Sequence, residues 1–284
     1  MHAQSRSLTL AAAGAALLTS TTIAAVAPWP GAVHERAGNE GNAGRAGNAG
    51  PQGNPGREGN AGPEGDPGHD GRSVRAADLL AVVRDCVPVS RGFFRRDDGA
   101  PADIPVCGKY GAVFWKADMD IDCDGRPGRY CNQTTDPFFS DTTSYRQSDG
   151  RYLSAETLPY IVVPAASDIW NHHAHSVRRG TVAAVIHGDR VQYAVVGDVG
   201  PGDVIGEASY ATARGLGIRP DPSGGGAAFG VTYILFENSS ASPIENPRAA
   251  VAVGERLARE FVRRNRAIAA HEDARLTPSD HTFR

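Results

Sequence analysis

The sequence predicts a mainly β fold with flanking helices, a small barrel set behind a non-globular amino-terminal stretch. Three observations carry this. Beyond residue 73 the apolar runs are short and rich in β-branched side chains, as strands are. Stretches with helical spacing are few, which disfavours a parallel βαβ sheet. Glycine and proline together make 53 of 284 residues, about 19% against an average near 12%, and the excess gathers near the amino terminus.

Met1 to Ala27 reads as a secretory signal peptide. His2 and Arg6 give a weakly basic start, Leu8 to Leu18 is apolar, and Ala24, Ala25 and Ala27 offer small residues for cleavage. No second hydrophobic run of that length follows, so no membrane association is expected after cleavage. Residues 28–72 form a linker or stalk in which twelve glycines, from Gly38 to Gly71, recur at every third position. That period is the requirement of a collagen-like triple helix, whose axis admits only hydrogen. The stretch has few prolines and many asparagines, so a flexible spacer and a homotrimer-forming stalk stand as equal alternatives. Between Ala32 and Arg72 the only large aliphatic or aromatic residue is Val33, so the repeat cannot bury a core. The globular domain is therefore assigned to residues 73–284. The net charge of −3 argues against nucleic acid as a partner.

Within that domain, Val74 to Cys86 has helical spacing. Strands are expected at Val113–Trp115, Thr157–Val163, Thr181–Ile186, Val191–Val196 and Val231–Phe236. The third and fourth are joined by a hairpin turn at His187-Gly188-Asp189-Arg190. Ala208 to Leu216 reads as a helix closed by Gly217. Asn246-Pro247 has the form of an N-cap with proline at the first helical position, followed by Ala250, Val253, Leu257 and Phe261 on one face. Four cysteines suit an oxidising destination and permit three pairings; Cys86–Cys107 with Cys123–Cys131 closes the shortest loops. No Cys-x-x-Cys pair is present to suggest zinc.

Two acidic groupings bear on function. In Asp118-Met-Asp120-Ile-Asp122-Cys-Asp124-Gly125 an extended backbone would turn alternate carboxylates to one face, to hold calcium, a cationic ligand or an Asx-turn framework. Counted from Asp120 as a calcium loop, position 12 falls on Cys131 rather than glutamate, so the full motif fails and no metal or cofactor is assigned. The second grouping places Asp198 at the end of a strand, before a Gly/Pro turn, and Glu207 nine residues later. Two carboxylates meeting across a turn are the minimum for glycoside hydrolysis. Taken alone, they are explained more simply as a turn-forming Asp and a helix-opening Glu. The run Asn171-His172-His173-Ala174-His175 offers imidazoles for a metal, but no ligand spacing supports one.

The segments YGAVFWKADMDIDCDG (Tyr110–Gly125), LPYIVVP (Leu158–Pro164), GTVAAVI (Gly180–Ile186) and YAVVGDVGPGDVIGEASY (Tyr193–Tyr210) together resemble glycoside hydrolase family 75, secreted endo-chitosanases of fungi and actinobacteria. The resemblance implies hydrolysis of β-1,4 glucosaminide linkages in chitosan with inversion. It maps the two essential acids onto Asp198 and Glu207, with Asp203 as the fallback for the first. We assign Glu207 as general acid and Asp198 as general base. Chitosan carries protonated amines, so Asp118, Asp120, Asp122 and Asp124 are candidate substrate-binding residues by charge. Trp115, Tyr145 and Trp170 could stack on sugar or fill the core. A fainter likeness joins Gly197-Asp-Val-Gly-Pro and the following Glu-Ala-Ser-Tyr to double-psi β-barrels such as expansins. It implies a six-stranded double-psi-like barrel, with the Asp ending a strand and the Glu opening a helix. The alternative function is a non-catalytic, expansin-like module that binds polysaccharide or cell wall and has no use for Glu207.

Overall fold

The computed structural model describes residues 73–276. The expected signal peptide at 1–27, the expected linker or stalk at 28–72 with its trimer or spacer alternatives, and residues 277–284 lie outside the described residues. The order of elements is α1 (Ala76–Val82), β1 (Val87–Pro88), β2 (Cys107–Lys109), β3 (Ala112–Asp122), β4 (Tyr160–Pro164), a 3-10 turn (His172–His175), β5 (Val182–His187), β6 (Arg190–Gly200), β7 (Glu207–Ser209), α2 (Tyr210–Leu216), β8 (Ala227–Phe236) and α3 (Pro247–Leu276).

Six strands close on themselves in the order β3-β7-β4-β6-β5-β8 and back to β3, while β1 and β2 extend the sheet beyond β3. The expected six-stranded barrel is therefore present. Two of its junctions, β3–β7 and β4–β6, are parallel, and the others are antiparallel. Side chains alternate across each strand. Val113, Trp115, Met119 and Ile121 of β3 meet Ile161, Val185, Val196, Tyr233 and Leu235 in one buried cluster, the barrel interior. The intervening Phe114, Val162, Ala184, Val195, Ile234 and Phe236 belong to a second cluster that includes Leu79 of α1 and Ala258 and Phe261 of α3. Most barrel strands are thus covered on both faces, which is why they read as unbroken apolar runs rather than alternating ones.

The local signals behave as their chemistry requires. The His187–Arg190 hairpin forms, with His187 and Arg190 as the last pair of the β5–β6 ladder. Asn246 caps α3 by accepting the backbone N–H groups of Arg248 and Ala249. Both disulfides take the short-loop pairing, Cys86–Cys107 and Cys123–Cys131. α1 stops at Val82, short of Cys86, because the chain must leave the helix to bring that cysteine alongside β2.

Two elements differ from expectation in ways that shape the site. β3 runs on to Asp122, eleven residues rather than three. The residues from Glu207 to Ser209 form β7, so Glu207 does not open the helix. The helix starts at Tyr210, capped by the Ser209 side chain, which accepts the Thr212 N–H. Parallel pairing with β3 keeps Glu207 extended, opposite Asp120.

A bulge sits in the β4–β6 pair. Ile161 pairs with Val196, but Val162 pairs with Asp198, so Gly197 is an extra residue. Without it, Asp198 would share the inward face of Val196; the slip of one residue turns Asp198 to the outer face, level with Val162. Only glycine fits there, since a Cβ on Gly197 would lie 2.6 Å from the Tyr160 Cβ. Gly197→Ala should therefore cost about 1–3 kcal/mol and displace Asp198. The expected result is a lowered urea midpoint together with lost activity; an unchanged midpoint would show that the bulge tolerates a side chain.

Candidate functional site

Asp118, Asp120 and Asp122 alternate with the inward Met119 and Ile121, so all three sit on the outer face of β3. β7 lies parallel beside it and sets Glu207 level with Asp120. The β6 bulge brings Asp198 to the same outer face. A cleft of about 240 Å³ is lined by Asp120, Asp122, Asp124, Asp198 and Glu207 along one wall, and closed by Phe138, Ser140, Pro201, Val204 and Arg96. Asp198 and Glu207 thus share a cleft, although they come from different strands.

Backbone donors fix the acids. Asp198 is 7% exposed, and its Oδ1 accepts the Ser144 N–H at 2.8 Å and the Val199 N–H at 2.7 Å. Asp122 Oδ1 accepts the Asp124 N–H at 2.6 Å, the Asx turn expected around Cys123. Asp124 Oδ1 accepts the Ser140 N–H at 2.9 Å, and its carbonyl accepts the Tyr160 hydroxyl at 3.0 Å. The fields of these groups overlap at Tyr160. Burial first, and then the charges of Asp122, Asp198, Asp124 and Glu207, hold its phenol well above the ordinary value. The Tyr145 phenol is also raised, by burial and then by Asp198.

The remaining expectations fall elsewhere. Asp118 does not line the cleft; it is 6% exposed and packs against Gly206, where any Cβ would collide with its carboxylate. Burial, and then the charge of Asp120, push the Asp118 carboxyl up to about 8. Asp203 is exposed and lies 3.8 Å from Arg95, outside the cleft. Trp115 and Trp170 are not stacking platforms. They are 0% and 3% exposed and meet edge to face, with Trp115 also stacked on Tyr233 at 5.3 Å. The aromatic that does reach the cleft is Phe138, half exposed, from the long segment between β3 and β4. Ser144 and Ser140 come from the same segment. No periodicity marked any of the three; the only signal was the length of that segment between two strands.

The histidine run does not converge on a metal. His172 is buried, with Nδ1 3.2 Å from the Pro164 carbonyl, and His175 Nδ1 is 3.3 Å from Glu237. Burial, and then His173, lower the His172 imidazole below its ordinary 6.5. The unfolded chain therefore takes up a proton before the native state does, and stability present above about pH 6.5 is lost as pH falls. The urea midpoint of the wild type relative to His172→Phe should decline between about pH 7 and about pH 5. A difference that stays constant over that range would contradict this origin.

A larger cavity, about 580 Å³, lies between Tyr110, Phe236 and Phe261. Its two acids are paired, Glu237 with His175 and Glu260 with Arg256 and with Arg264 of the same lining. The acid-lined cleft is the candidate site.

Comparison with known proteins bears on the family of the chain. The family model described as "Fungal chitosanase of glycosyl hydrolase group 75" matches residues 119–269, which contain Asp120, Asp122, Asp124, Asp198 and Glu207. Endo-chitosanase C of Aspergillus oryzae is 34% identical over 137 residues, covering 46% of this chain and 33% of that protein. An endo-chitosanase of Aspergillus fumigatus is 27% identical over 137 residues, covering 44% of this chain and 58% of that protein. The matched part is therefore about a third of the length of the first relative and somewhat over half of the second. With the family match extending over more than half of its residues, the chain belongs to glycoside hydrolase family 75.

Proposed function

We propose that the protein is a secreted endo-chitosanase that hydrolyses β-1,4 glucosaminide linkages by an inverting, two-carboxylate mechanism. The observation that carries this reading is the presence of Asp198 and Glu207 in one cleft that Asp120, Asp122 and Asp124 also line. Glu207 protonates the leaving glycosidic oxygen, and Asp198 takes a proton from the attacking water on the opposite face of the sugar. The two backbone N–H groups on Asp198 Oδ1 suit an ionised carboxylate, the form a base needs. Asp120, Asp122 and Asp124 attract the substrate's ammonium groups, and Phe138 offers an apolar face to a sugar ring. Both disulfides fit an oxidising destination, in keeping with a signal at residues 1–27. The glycine repeat would act as a tether or as a trimerising stalk.

Viscometry of soluble chitosan tests the reading. A rapid fall in viscosity with few reducing ends is the expected result for internal cleavage. Binding without a fall in viscosity would support the non-catalytic wall-binding module instead.

A further inference from the structure

We propose that Asp97, Asp118 and Asp120 form a site for a calcium-sized divalent cation beside the cleft. One carboxylate oxygen from each residue lies within 4.8 Å of the others. A calcium ion binds oxygen at about 2.3–2.6 Å, so a single ion can touch all three without moving the backbone. This set differs from the run between Asp120 and Gly125 in which a calcium loop fails, because its third member comes from a separate segment.

A second observation, independent of the clustering, points to a ligand. Asp118 is only 6% exposed, and its Oδ1 has no hydrogen-bond partner. A buried carboxylate oxygen without a donor is costly, and a bound cation removes that cost. Arg96 lies close enough to favour the charged form of Asp118, but its guanidinium faces Asp103 at 3.8 Å. The framework is built rather than loose. Asp118 and Asp120 stand on the outer face of β3. Asp97 follows a segment held by the Arg95 N–H on the Asp203 carbonyl and the Ile205 N–H on the Arg95 carbonyl, both 2.9 Å. Asp120 also donates its N–H to the Gly206 carbonyl at 2.8 Å, immediately before Glu207. An ion here would brace the wall that carries the proposed general acid. The site shares Asp120 with the cleft wall, while Asp97 and Asp118 do not line the cleft.

Terbium luminescence on the full chain tests the proposal directly. The Tyr233 hydroxyl donates to the Asp118 carbonyl at 2.9 Å, and Trp115 stacks on Tyr233, so the site has aromatic donors for sensitised emission. Saturable terbium emission should appear and be displaced by calcium at about 0.1–1 mM, the range of extracellular calcium modules. Asp97→Asn and Asp118→Asn should each weaken binding at least about tenfold while keeping the wild-type circular dichroism. Asp189→Asn at the hairpin tip should leave binding unchanged. The proposal is overturned by absence of sensitised emission, or by emission that 10 mM calcium (about ten times the weakest expected constant) fails to displace. Emission lost in Asp124→Asn but kept in Asp97→Asn would overturn it too, by placing the ion in the cleft.

Discussion

Glu207→Gln should lower the release of reducing ends from chitosan by about 10²–10⁴-fold, the range of a lost general acid or base, with chitosan still bound and the protein still folded. Asp198→Asn should do the same. The asparagine Oδ1 can still accept the Ser144 and Val199 N–H groups, so the bulge is kept while the base is removed. The two losses should not add. Acid and base serve one bond cleavage, so the double variant should be little worse than either single one. Activity within a few fold of wild type in either single variant would remove that residue from the mechanism, and a double variant showing the product of the two losses would separate their roles.

Trp115→Ala should destabilise the protein by about 3–5 kcal/mol, the cost of truncating a large core aromatic. Trp115 is fully buried between Trp170 and Tyr233 at the centre of the barrel interior. For a domain of this size the melting temperature should fall by about 2–4 °C per kcal/mol, with activity recovered in whatever fraction stays folded. A variant with unchanged melting temperature but weakened chitosan binding would return Trp115 to the cleft and contradict its place in the core.

The contrast between these two predictions reflects what the sequence could show. β4, β5 and β8 are legible because both their faces are buried, which makes runs such as Tyr160–Val163 and Val231–Phe236 largely apolar and β-branched or aromatic, with Thr232 the one polar side chain in them. Asn246 and Gly188 were visible because capping and tight turns need particular residue types. The acidic half of β3 was harder to place. Asp118, Asp120 and Asp122 break the apolar run on one face, while Met119 and Ile121 hold it on the other, so the unbroken apolar signal ends at Trp115. Glu207 was assigned to a helix because Ala208–Leu216 has helical spacing; Ser209, three residues before Thr212, was the capping signal that dates the start to Tyr210. The bulge at Gly197 had no periodic signature, because it exists only in relation to β4. Asp120, Asp122 and Asp124 are candidates by charge alone, and Asp198 and Glu207 by residue type and family likeness. Their convergence in one cleft is a product of parallel pairing and of that bulge, and neither is local to the chain. The same holds for Asp97, which joins Asp118 and Asp120 across more than twenty residues of sequence.

The most direct test of the two-carboxylate account is proton magnetic resonance of the first anomer released by the wild-type protein from chitosan. If Glu207 protonates the leaving oxygen while Asp198 activates water on the opposite face, the β linkage must yield the α-anomer first, with the β-anomer appearing only as mutarotation proceeds. Initial release of the β-anomer would contradict it, since retention requires a carboxylate, rather than water, to attack the sugar.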